Sequence, residues 1–150
     1  MTSIKIIPMT LLDMMTVCKI DSVCFSHPWP KEEFVKELTQ NRFAKYFVCK
    51  MNRKIIGFLG LWLIFDDAHI ATIAVAPPFM RKGIGTLLVE FAIKLAIESG
   101  CNKLILEVRK SNEAAMKFYD KMGFTFVNTK KNFYSYPIED AWEMIRNLTP

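Results

Sequence analysis

The chain has 150 residues, 51% of them hydrophobic and 23% charged, with a formal net charge of +5. That composition excludes a disordered or low-complexity chain and is what one domain with its own core requires. The charge suits an anionic ligand. The basic residues form no long block, however, and no zinc, basic-zipper or RNA-recognition signature accompanies them, so direct nucleic-acid binding is not expected.

In chain order, "SIKIIP" alternates and predicts a first strand, stopped by Pro8. Thr10 is placed to cap a helix to about Cys24, with Leu11, Met14, Met15 and Cys18 at helical spacing. "FSHPWP" breaks that helix, and "KEEFVKELTQ" predicts a second, with Phe34, Val35 and Leu38 on one side. "KYFVCK" and "KIIGFLGLWLIF" form a hairpin around "MNRK", and "AHIATIAV" follows through the polar tip at Asp66 and Asp67. From Gly83 the period becomes helical, with Ile84, Leu87, Leu88, Phe91, Ala92, Leu95 and Ala96 on one face and Gly100 as the stop. "KLILEVR" is a strand, "SNEAAMKFYDKMG" a helix capped by Ser111 or Asn112, and "FTFVNTKKNFYSY" and "EDAWEMIRNL" two last strands. The order is β-α-α-β-β-β-α-β-α-β-β, an α+β domain over residues 1–150 around one mixed sheet.

Cys18, Cys24, Cys49 and Cys101 form no C-x-x-C pair, and His27 and His69 add no metal-ligand spacing. No metal site is expected, and the cysteines read as reduced thiols of a cytoplasmic protein. The N-terminal stretch lacks the apolar run and cleavage site of a signal peptide, and no apolar segment reaches the roughly 18 residues of a membrane span.

Three features carry chemistry. The first is "APPFMRKGIGTLL", a strand end, a basic loop with Gly83 and Gly85, and a helix start. Bare backbone, free first-turn N–H groups and the helix dipole suit an anion, with Arg81, Lys82 and Thr86 as further donors. No Walker A pattern is present, and Leu88 replaces the third glycine of the dinucleotide fingerprint. The second is Glu107, on the strand face shared with Ile105 and Arg109. A carboxylate in an apolar strand is either paired, Arg109 being its same-face neighbour, or used as a general base. The third is Tyr119, which with Ala115, Phe118 and Met122 follows a core stripe; its hydroxyl could instead face a leaving group. Asn112 serves as a cap or as a ligand contact.

In combination, "IAVAPPFMRKGIGTLL", "LEVRKSNEAAMKFYDKMGF" and "EDAWEM" resemble the GNAT acetyltransferase superfamily. With "CFSHPWPKEEFVKEL", the chain is similar to its RimI group, whose members acetylate the N-terminal alanine of a small-subunit ribosomal protein. The resemblance implies a seven-stranded, mostly antiparallel sheet whose fourth and fifth strands splay apart around acetyl-CoA. It places the pyrophosphate on Arg81, Lys82, Gly83, Ile84, Gly85 and Thr86, and the pantetheine arm along Ile73, Ala74 and Val75 with Asn112 opposite. Glu107 then matches the base and Tyr119 the acid of a direct attack by an amine on the thioester. The Val75 N–H is the candidate oxyanion donor. Met80 departs from the family's Gln or Arg at the start of the loop motif. The resemblance puts the peptide between "SHPWP" and the final hairpin, with Trp29 and Tyr134 as substrate contacts and Phe133 and Tyr136 beside them. Glu32, Glu33, Asp66 and Asp67 could attract a basic peptide.

Overall fold

The computed structural model describes residues 3–149; Met1, Thr2 and Pro150, part of the span assigned above to the domain, lie outside the described residues. Seven strands run in chain order as β1 (Ile4–Pro8), β2 (Ala44–Met51), β3 (Lys54–Ile64), β4 (Asp67–Val75), β5 (Lys103–Arg109), β6 (Thr125–Ser135) and β7 (Ile138–Asn147). Four α-helices accompany them, α1 (Met14–Cys24), α2 (Lys31–Thr39), α3 (Ile84–Glu98) and α4 (Glu113–Lys121). The spatial order is β1-β2-β3-β4-β5-β7-β6. Every neighbouring pair is antiparallel except β4–β5, so the expected mixed α+β sheet is the one observed.

Each face of the sheet has its own core. Leu88, Val89, Ala92 and Ala96 of α3 pack with Leu104 and Leu106 of β5 and Phe124 on one face. Met14, Val17 and Ile20 of α1 and Phe34 of α2 cover Tyr46, Val48, Phe58 and Ala74 on the other. Fully burying the valine, leucine, isoleucine, methionine and phenylalanine side chains among these contributes about 1.5–3 kcal/mol each.

The buried stripe of α1 differs from the one its spacing suggested. Met14, Val17, Ile20 and Asp21 are buried, whereas Leu11 and Met15 are 53% and 82% exposed. Residues Leu11–Asp13 form a 3-10 turn before the α-helix begins at Met14. The tighter winding resets the phase, so a period counted through Leu11 does not carry into the helix.

Two irregularities position the site. Leu61 pairs with Ile70 and Gly60 with Thr72, which leaves Ala71 without a partner, a β-bulge in β4. Before the bulge Ile70 faces the α3 core; after it Ala74 faces the α1 core. The second is the parallel pairing of β4 with β5, which covers only Asp67↔Lys103, Ala68↔Leu104 and His69↔Ile105. Beyond those rungs β4 stays with β3 while β5 follows β7. The sheet therefore opens into a wedge.

Candidate active site

The wedge is a cavity of about 560 Å³. Ile70–Ile73 of β4 form one wall, Leu106–Arg109 of β5 the other, and Asn112, Ala115 and Tyr119 arrive from the α4 side. The α1–α2 loop supplies Trp29 and the β6–β7 end supplies Tyr134. Five residues singled out by sequence, Glu107, Tyr119, Asn112, Trp29 and Tyr134, thus converge on one space with Ile73.

Glu107 does not pair with Arg109. Its Oε1 lies 2.7 Å from His69 Nε2, and its Oε2 accepts a hydrogen bond from Lys130 Nζ at 3.0 Å. Arg109 instead donates to Glu139 Oε1 at 3.2 Å and to the carbonyls of Tyr136 and Pro137, bracing the β6–β7 turn. Its guanidinium also stacks 4.2 Å over the Tyr134 ring. Same-face spacing along one strand was a poorer guide than the rung between β4 and β5: the pair His69↔Ile105 brings the imidazole to the face that Ile105 shares with Glu107. Burial of the Glu107 carboxyl pushes its proton affinity up, but the hydrogen bonds and charges of His69 and Lys130 outweigh this and hold it below the usual carboxylate range.

Tyr119 is buried among Phe118 and Phe124, as its stripe required. Burial, with the Tyr134 phenol adding, raises its pKa, so it stays protonated through the neutral range. The residue lines the cavity, and among the described residues no buried side-chain N or O atom is left without a partner. Tyr134 is also pushed up to about 12, by burial first and then by the Glu107 charge. Asn112 is the α4 cap, its side chain accepting from Ala115 N–H at 3.1 Å.

The β4 edge continues toward the basic loop. Ala76 N–H donates to the Ile56 carbonyl at 2.8 Å, so alternation turns the N–H and C=O of Val75 and Ile73 away from β3 and toward the gap. Consistent with this, the Val75 carbonyl accepts from Cys24 Sγ at 3.3 Å. The Ala74 side chain points into the α1 core, and that of Ile84 is buried in the α3 core. Ile84 therefore offers backbone only, and Ala74, whose N–H and C=O face β3 by the same alternation, offers the gap neither backbone nor side chain.

At the α3 start, Arg81 and Gly83 both have positive φ, 61° and 83°. Such alternation turns successive N–H groups toward one point. The first helical bond runs from Leu87 N–H to the Gly83 carbonyl at 3.1 Å, and among the described residues no protein acceptor meets the N–H groups from Arg81 to Thr86. A Cβ on Gly83 would meet nothing within 4 Å, so the approach to this backbone is open. These features fit a pyrophosphate. Met80 is 45% exposed beside the cradle.

On the opposite side, the Trp29 ring packs 5.1 Å from Phe34, and the Trp29 backbone N–H donates to Asp21 Oδ2 at 2.8 Å. Asp21, 2% exposed, is the buried acid of α1; burial raises its pKa against the lowering pull of that hydrogen bond. The exposed rings of His27 and Tyr136 meet at 4.5 Å where the two loops approach each other. Phe133 and Tyr136 line the cavity too. Asp66, Asp67, Glu32 and Glu33 do not line it.

Four polar side chains belong to this site that the sequence did not place there: His69, Lys130 and Glu143 beside Glu107, and Asp21 on the cavity wall. His69 was weighed only as a metal ligand, and among the described residues no group of three or more His, Cys, Asp or Glu could hold a metal ion. Lys130 falls in the strand predicted over "FTFVNTKKNFYSY" and sits in β6, with nothing in that stretch to single it out. Glu143 lies directly across from Glu107 on β7, and Asp21 is buried in α1. Only cross-strand register reveals the first three. A buried acid on the apolar stripe of α1 was the available signal for the fourth.

A family model described as the acetyltransferase (GNAT) family matches residues 14–124. A Bacillus subtilis protein provisionally named a ribosomal protein bS18-alanine N-acetyltransferase is 36% identical over 133 residues, covering 89% of this chain and 88% of that protein. The crystal structure of the Escherichia coli ribosomal-protein-alanine N-acetyltransferase superposes with a TM-score of 0.89 at 28% identity, covering 99% of this chain and 96% of that one. A GNAT family acetyltransferase from Elizabethkingia anophelis, solved with acetyl-CoA bound, superposes with a TM-score of 0.78 at 28% identity, covering 97% and 98%. Among the described residues no helix is long and apolar enough to cross a membrane.

Proposed function

Because the chain belongs to the GNAT family of acetyl-CoA-dependent N-acetyltransferases, we propose that its acceptor is the N-terminal α-amino group of a protein, and that this protein is ribosomal protein bS18 with its N-terminal alanine. The names carried by its relatives support that acceptor, and such a substrate puts the reaction in the cytoplasm. The observation that carries the chemical assignment is the pairing of Glu107 and Tyr119 across one wedge. One is held ionised and the other held protonated.

The division of labour follows from those two states. An α-amino group has a pKa of about 8, so much of it arrives protonated at neutral pH. Glu107, directly or through a water, takes a proton from it, and the neighbouring His69 orients the carboxylate that does so. Holding both substrates in one cleft removes much of the entropic part of the barrier. The Val75 N–H, turned toward the gap, is placed to stabilise the developing oxyanion. The Tyr119 hydroxyl supplies the proton that the departing CoA thiolate needs. The amides from Arg81 to Thr86 hold the pyrophosphate, the Ile73–Val75 edge and Asn112 hold the arm, and Trp29 and Tyr134 wall the peptide. No cysteine has to carry the acetyl group.

Thiol release from acetyl-CoA tests this with four acceptors: a peptide beginning Ala-Arg, one beginning Met, a lysine side-chain peptide and spermidine. Turnover with the alanine peptide well above the others is expected. Turnover with spermidine alone would replace the protein acceptor by a polyamine. Glu107→Gln should lose turnover sharply while keeping acetyl-CoA affinity, and full turnover at saturating substrate would remove Glu107 from the chemistry.

A further inference from the structure

Glu107 and Glu143 are direct cross-strand partners on β5 and β7. Like charges at such positions destabilise a sheet, so this pairing calls for a counter-charge. Lys130 of β6 supplies it. Its Nζ is 3.0 Å from Glu107 Oε2 and 3.4 Å from Glu143 Oε2. In the β6–β7 register Asn128 faces Glu143, which puts Lys130 two residues along on the same face, within diagonal reach. The register then breaks between Lys130 and Tyr134, with Asn132 at a φ of 53° and its N–H on Asp140 Oδ1 at 2.9 Å. That irregular stretch brings the Phe133 ring over the ammonium, 5.3 Å from Nζ. Two carboxylates and an aromatic face therefore fix one lysine beside Glu107, which itself lines the cavity.

We propose that Lys130 is a positioning residue for Glu107: bridging the opposed carboxylates, it aims Glu107 into the cleft and keeps it ionised as the amine's proton acceptor. The inference rests on the reading of Glu107 as the base. The other groups around this carboxylate are His69 from β4, Tyr134 from β6, Arg109 along β5, and Tyr119, Asp21 and His27 around the cavity. Arg109 is committed to Glu139 and the turn carbonyls. Lys130 is thus the lysine or arginine in contact with both carboxylates, and the same interactions raise its own pKa against the lowering effect of burial. Without it, burial and the Glu143 charge would both favour a protonated, inactive Glu107.

The test is the pH profile of kcat/KM with the alanine peptide, for Lys130→Met, Lys130→Arg, the double variant Lys130→Met with Glu143→Gln, and Glu107→Gln. In Lys130→Met the acid limb should move to higher pH, with kcat/KM about tenfold or more below wild type at pH 6 and converging on it by pH 9. Acetyl-CoA KM should not change. Lys130→Arg should restore the wild-type limb, and Glu143→Gln should recover part of the loss in the double variant by removing the opposed charge. A Lys130→Met profile that superimposes on wild type, or is depressed equally at every pH without recovery in the double variant, overturns the proposal. If Glu107→Gln keeps wild-type turnover, the base reading falls and takes the proposal with it. If Glu107→Gln is inactive while the Lys130→Met limb stays in place, only the role of Lys130 falls.

Discussion

Tyr119→Phe removes one oxygen from a side chain the fold otherwise needs, which lets chemistry be separated from packing. The ring stays between Phe118 and Phe124, with centroids 5.2 and 5.6 Å away. Its hydroxyl borders the cavity and takes part in none of the side-chain hydrogen bonds described above, so its removal strands no buried donor or acceptor. The unfolding free energy should change by less than about 0.5 kcal/mol. If the phenol protonates the departing thiolate, the loss is that of a general acid, about 10²–10⁴-fold in kcat. That corresponds to about 3–5 kcal/mol of barrier, several times the stability change. The assay is CoA thiol release with the alanine peptide, alongside thermal unfolding and acetyl-CoA KM. A second thioester makes it sharper: the acetyl ester of a more acidic thiol needs less help in leaving, so the ratio of wild-type to variant kcat/KM should shrink. Wild-type kcat in a folded variant would refute the assignment, as would an unchanged ratio between the two thioesters.

Three further outcomes follow from the packing and the charges. A Cβ on Gly60 would lie 2.4 Å from the Tyr46 ring, which is tied down by a 2.6 Å bond from its hydroxyl to Glu37. Gly60→Ala should therefore cost about 1–3 kcal/mol in chemical denaturation; an unchanged midpoint would mean the ring gives way. Asp21 has a raised pKa in the folded state, so its contribution to stability is present below the unfolded value of about 3.9 and is lost as pH rises. Asp21→Asn keeps an acceptor for Trp29 N–H and should be at least as stable as wild type at pH 7, whereas Asp21→Ala should lose about 1–3 kcal/mol and raise the peptide KM. Equal losses in both variants would show that the charge itself is used. Glu107 has a lowered pKa, so its contribution is present above the unfolded value of about 4.3 and disappears as pH falls through the folded one. Melting temperature against pH should lose part of its acid slope in Glu107→Gln, and an unaltered slope would assign the acid sensitivity elsewhere.

The order of elements was legible because hydrophobic period and punctuation agree in this chain. Alternation placed Glu107 opposite the Leu104–Leu106–Val108 face, and those three leucine and valine side chains are buried. Gly123, at a φ of 91°, ends the last helix where a left-handed residue was needed. What stayed hidden depends on strands distant in sequence. Nothing local to "DAHIA" points to Glu107, which is 38 residues away, and the two meet only because the parallel rungs end at His69. Lys130 was hidden differently, since a basic pair looks like solvated surface until the register shows a carboxylate on each side. The α1 stripe failed for a local reason, the 3-10 turn before Met14.

The short parallel seam has a mechanical consequence. β1 to β4 and the α3 cradle form one half of the molecule, and β5, β7 and β6 with Glu107 and Lys130 form the other. Along the sheet, among the described residues, the two halves are joined by the rungs from Asp67 to His69 alone, while α3 packs across both from one face. The seam thus sets the angle between whatever each half grips, without touching either. Damage there would leave two intact grips that meet at the wrong attitude: both binding constants would survive while turnover fell. His69, on the last rung and against the carboxylate, is where alignment and chemistry become the same residue.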